Sequence, residues 1–129
     1  MTVELTMLFW AVVLTFVQML VAVQLSTMQV GLPTLAGNRD GFAPEGMAGR
    51  ATRAHRNMLE NLPLFAALVL VVQLGGLNNE LTALGAQVFV IARLVYAVIY
   101  VIGVPWIRTA TWFVSVIGLA MMAWAVWAG

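Results

Sequence analysis

A chain of 129 residues that is 63% hydrophobic and 9% charged, with a mean hydropathy of +0.98, is not a soluble domain. Its net charge of +1, with no lysine, excludes the basic footprint of a nucleic-acid-binding protein. The absence of cysteine excludes disulfide exchange, thiol nucleophiles and thiolate metal sites. What remains is an all-α integral membrane protein, a single domain with room for about four spans of roughly 20 residues each.

The start, Met1-Thr2-Val3-Glu4, lacks the basic segment of a cleaved signal peptide, so the first apolar run is expected to stay in the protein. That run predicts a span over about 5–30, ended by Gly31-Leu32-Pro33. A turn-rich loop follows to about Gly49, carrying Gly37-Asn38-Arg39-Asp40-Gly41 and Ala43-Pro44-Glu45-Gly46. The second span, about 50–74, opens in a basic cluster. A turn over Gly75 to Glu80 leads to a third span over about 81–102, interrupted only by Arg93. Gly103-Val104-Pro105 makes a tight turn, and the fourth span covers about 106–128. All four are helices, because a lone span can satisfy its backbone in lipid only that way and these runs lack strand alternation. Arg39, Arg50, Arg53, Arg56 and Arg108 fall on one side of the bundle, with Glu4 and Glu80 on the other. The positive-inside rule then places the arginine side in the cytoplasm and both termini outside.

Charge within a span is expensive, so polar groups there mark candidate sites. At 100° per residue, Arg53, Asn57 and Glu60 lie at about 0°, 40° and −20°, with Arg50 at about 60° and Arg56 at about −60°. On the third span Arg93, Tyr96 and Tyr100 share a face. Glu60 and Arg93 each lie roughly 15 Å from the arginine-side end of their helices, which predicts a buried ion pair between them. Pro63 removes one backbone donor and is expected to bend the helix beside that pair. His55 points away from the stripe and reads as a surface residue. Arg53, Asn57, Tyr100 and Arg108 form a donor set suited to carboxylates. The single histidine rules out a bis-histidine haem within one chain, and neither a metal nor a haem is expected.

The segment Arg53-Ala54-His55-Arg56-Asn57-Met58-Leu59-Glu60-Asn61-Leu62-Pro63-Leu64-Phe65 resembles the signature R-A-x-x-N-x-x-E-x-x-P-x-F of the MAPEG proteins, the membrane-associated proteins in eicosanoid and glutathione metabolism. Arg93-Leu94-Val95-Tyr96-Ala97-Val98-Ile99-Tyr100 resembles the family's third-helix segment R-x-x-Y-x-x-x-Y. The resemblance, to members of prokaryotic type, implies a homotrimer of four-helix protomers in a bacterial inner membrane, with glutathione bound as co-substrate between subunits near the cytoplasmic face. By position it implies glutathione contacts at Arg53, Asn57, Glu60, Tyr96, Tyr100 and Arg108. Thr109 and Tyr100 are candidate helping donors, and Arg108 is the candidate for stabilising the thiolate.

Some features depart from the family pattern. No arginine follows Gln29-Val30, where several active members carry one, and Trp112 stands where some have tyrosine. The function the resemblance implies is a membrane glutathione-dependent transferase or peroxidase acting on apolar electrophiles or lipid hydroperoxides, while the missing arginine favours the alternative. The competing reading is a non-catalytic, lipid-binding or scaffold subunit of a membrane assembly.

Overall fold

The computed structural model describes residues 1–129 and contains five helices. They are α1 (Val3–Val30), α2 (Leu32–Ala36), α3 (Gly46–Leu74), α4 (Glu80–Ile102) and α5 (Pro105–Ala128). All but α2 are long and apolar enough to cross a membrane. The protein is an integral membrane four-helix bundle. The spans follow the hydropathy, with one addition. Pro33 does not simply end the first helix; it sits in the first turn of α2, where a missing N–H costs nothing. The break between α1 and α2 falls on Gly31, whose φ of +86° suits glycine alone. The basic segment also lies inside a helix rather than at its opening, because α3 begins four residues before Arg50.

Local chemistry sets the ends. Thr2 caps α1 through its hydroxyl, which accepts from the Leu5 amide. Asn79 and Thr82 form a reciprocal capping box at the start of α4. Gly103, in the left-handed region, closes α4 with bonds to the carbonyls of Ile99 and Tyr100, and Pro105 opens α5 in its first turn. This tight turn makes α4 and α5 antiparallel neighbours and delivers Arg108 beside Tyr100.

The core lies between α1, α3, α4 and α5, around Met58, Phe65, Phe89 and Met122. Phe65 of α3 stacks on Phe89 of α4, with ring centroids 4.2 Å apart. Between α4 and α5 the backbones themselves touch. A Cβ at Gly118 would stand 2.7 Å from the Gly85 carbonyl oxygen, and one at Gly85 would stand 2.8 Å from that of Gly118. Small residues at such crossings allow the close packing that holds helices together in lipid. Pro63 lies within an uninterrupted α3.

At the end of the bundle that holds both termini, Glu4 is buried, at 2% exposure, despite its place near the start of the chain. Its carboxylate accepts hydrogen bonds from Asn78 Nδ2 and Thr82 Oγ1, tying α1 to the start of α4. Replacing Glu4 with alanine removes both charge-assisted bonds and leaves Asn78 only the Gln73 side-chain oxygen and Thr82 only the Asn79 carbonyl. Thermal unfolding in detergent should show a loss of about 2 kcal/mol, the scale for hydrogen bonds to a charged group. An unchanged melting temperature would count against this knot as a structural anchor.

Candidate functional site

The arginine-rich end of the bundle gathers side chains from α3, α4 and α5. Arg53 Nε donates to the Tyr100 hydroxyl at 3.3 Å. The Arg108 guanidinium lies 4.6 Å from the centroid of the same ring, on a helix whose N-terminus is three residues away. Tyr96 meets Tyr100 edge-on, with centroids 5.5 Å apart. Asn57, Tyr96, Arg108, Thr109 and Trp112 line a recess of about 240 Å³. Arg50 stands apart from it: its Nε donates to the Val101 carbonyl at 2.9 Å and ties α3 to the end of α4.

Arg93 sits beneath this recess at 1% exposure. Its guanidinium lies 4.3 Å from the Tyr96 ring centroid, and Nη2 donates to Asn57 Oδ1 at 2.8 Å. Its Nε and Nη1 are buried without a partner. The expected Glu60–Arg93 ion pair does not form within the protomer. No carboxylate oxygen lies within 4.0 Å of any arginine nitrogen in the chain, and Glu60 is exposed. The reason is angular. Ala51, Ala54, Met58, Phe65, Val69 and Val72 are the buried side of α3, at about 100° to 160° from Arg53. Asn57, at about 40°, reaches the α3–α4 seam, whereas Glu60, at about −20°, is swung out of it. Equal depth brought the two residues level without making them face each other.

The structure thus brings together Arg53, Asn57, Tyr96, Tyr100 and Arg108, with Thr109 at the rim. Thr109 is not a free donor: its hydroxyl donates to the Pro105 carbonyl at 3.3 Å, within its own helix. Tyr100 accepts from Arg53 and so keeps its own proton to give. His55 lies elsewhere, in a separate recess of α1, α2 and α3 with Arg39 and Thr52. Trp112 is a site wall that the charge pattern could not reveal. The end of α1 carries no cation; there the Gln29 side chain exchanges two hydrogen bonds with the backbone of Glu45 and ties α1 to the start of α3.

The exposed members of the α3 stripe, Arg53, Arg56 and Glu60, are left uncovered by the protomer's own helices. The largely apolar groove of about 320 Å³ between α1, α3 and α4 holds no titratable side chain and lies apart from this cluster.

Fold and site together define a four-helix membrane protein with a cationic, aromatic-walled recess at one end of the bundle. The family model described as MAPEG family matches residues 5–128, and the chain belongs to that family. Comparison with curated proteins and with solved structures gives no match.

Proposed function

We propose that this protein is a membrane glutathione-dependent transferase or peroxidase that turns over apolar electrophiles or lipid hydroperoxides. The observation that carries the reading is a set of donors with no carboxylate in ion-pair contact with it. Asn57 and Arg108 line one recess, Arg53 joins it through the Tyr100 hydroxyl, Arg93 lies beneath it, and none of the arginines is ion-paired. Unpaired cations gathered at one end of a membrane bundle, Arg93 among them buried, favour an anionic ligand.

Glutathione fits that set. Its two carboxylates call for guanidinium and N–H donors, which Arg53, Arg108 and Asn57 offer. Glu60, on the exposed face of α3, offers an acceptor for its ammonium. When bound, glutathione supplies a thiol whose deprotonated form is the nucleophile. Arg108, at a helix N-terminus, stabilises negative charge on that sulfur, and the Tyr100 hydroxyl is placed to donate to it. The apolar surface of the helices lets a lipid-soluble second substrate approach from the bilayer.

A recess of about 240 Å³ falls below the roughly 300–1,000 Å³ of a complete small-molecule site. A homotrimer would complete it and cover Arg53 and Glu60, which otherwise face hydrocarbon. The arginine-rich end is proposed to face the cytoplasm of a bacterial inner membrane, with both termini outside. The uncharged end of α1 favours a second reading, a non-catalytic lipid-binding or scaffold subunit.

Titration of the purified protein with glutathione separates the two. Saturable binding by an assembly that native mass spectrometry identifies as a trimer is expected. A folded trimer that takes up no glutathione would move the assignment to the scaffold reading, and a stable monomer or dimer would sink the trimeric site.

A further inference from the structure

Asn57 stands between Arg93 and the recess, and its neighbours fix which end of its amide faces outward. A guanidinium can only donate hydrogen bonds, so the Asn57 atom 2.8 Å from Arg93 Nη2 must be the oxygen. Asn61 Nδ2 donates to the same oxygen at 3.2 Å and to the Asn57 main-chain carbonyl at 2.8 Å. Both acceptor positions of Oδ1 are thereby taken. Nδ2 has no partner in the protein and is not sealed off from the surface, and Asn57 is part of the recess wall.

Arg93 is itself held in place. It is 1% exposed, lies against the Tyr96 ring, and its remaining nitrogens are enclosed. A group so placed does not reach a ligand; its contact toward the recess ends at Asn57.

We propose that Arg93 is a positioning residue that locks Asn57 as an obligate donor, so that the recess selects, at this point, a ligand group that only accepts: a carboxylate or carbonyl oxygen. An ammonium or amide N–H placed there meets a second N–H and is rejected. Without Arg93 only the longer bond from Asn61, which can fall back on the Asn57 main-chain carbonyl, holds the amide, so it can turn over and present its oxygen, and the selection is weakened. The inference rests on the glutathione reading, because that peptide is the ligand whose acceptor groups the lock would receive.

Calorimetric titration of the full-length protein in detergent with glutathione, alongside thermal unfolding, tests it. In Asn57→Asp one oxygen takes over the bonds from Arg93 and Asn61, now with opposite charges, while the other faces the ligand as an acceptor. The expected result is a melting temperature at or above wild type and a Kd for glutathione raised about 10-fold or more. Arg93→Met should also weaken binding, and Arg93→Lys, whose ammonium likewise only donates, should recover most of the loss. On an Asn57→Ala background, Arg93→Met should cost nothing further, because its effect passes through Asn57. Losses that multiply in the double variant would overturn the positioning role, as would a wild-type Kd in Asn57→Asp. The Asn57→Asp arm decides the matter where Arg93→Met does not assemble. Wild-type protein that binds no glutathione removes the underlying reading and this inference with it, whereas wild-type binding with multiplying losses rejects this inference alone.

Discussion

Arg108→Ala should lower turnover of a model apolar electrophile by about 10²-fold or more, the scale for losing one preorganised electrostatic group. Three features make this the largest expected effect at the site. Arg108 is in the first turns of α5, where the exposed backbone amides add partial positive charge. Its guanidinium is set against the Tyr100 ring, which restrains it without neutralising it. No carboxylate competes for it. Arg108→Lys keeps the charge but loses the planar fork and the stacking, so an intermediate rate is expected. His55→Ala serves as the control, because His55 belongs to the recess on the far side of α3 and should retain near-wild-type turnover. Equal rates for wild type and Arg108→Ala would reject the thiolate-stabilising role.

Gly118→Val should destabilise the protein by about 2–3 kcal/mol, read by thermal unfolding in detergent. The added Cβ would lie 2.7 Å from the Gly85 carbonyl oxygen and 2.8 Å from the Phe89 amide nitrogen. Both are backbone atoms inside a helix, so no side chain can move aside to relieve the overlap. The helices must separate. Phe89, which stacks on Phe65, would shift with α4, and the Arg108–Tyr100 arrangement spans the same two helices. Glutathione affinity should therefore fall together with stability. A Gly118→Val protein with wild-type melting would mean that α4 and α5 do not approach as closely as the backbone geometry requires.

The four spans were legible because apolar length in a membrane chain admits few alternatives, and the turns because Gly75-Gly76 and Gly103-Val104-Pro105 break helices for plain steric reasons. The cluster of Arg53, Asn57, Tyr100 and Arg108 was legible from helical spacing, since residues three and four apart share a face. The partner of Arg93 was not. Depth along a helix can be counted from the sequence, but which edge of a polar stripe turns toward a neighbour depends on how that helix is rotated. Asn57 and Glu60 differ by about 60°, enough to exchange a buried contact for an exposed one. Glu4 was hidden for a related reason: its sequence position suggests a solvated end, whereas Asn78 and Thr82 enclose it from distant parts of the chain. The Gly85–Gly118 contact joins two glycines that carry no local signal of each other. The short α2 was missed because Pro33 reads equally as a stop and as a start.

The guanidinium of Arg93 also bears on how the chain is made. Arg93 is near the middle of α4, and a cation at that place costs about 2.5–3.5 kcal/mol when a lone helix leaves the insertion machinery for lipid. Asn57 belongs to α3, which is synthesised earlier and is joined to α4 through residues 75–79 alone. A helix pair that partitions together carries its own hydrogen-bond acceptor for the charge, and so lowers a barrier that neither synthesis order nor hydropathy removes. α3 is thus best released into the bilayer with α4 rather than ahead of it. A nascent chain in which the two separate early is left with an unsatisfied cation in hydrocarbon, the kind of lesion that membrane quality-control proteases can extract.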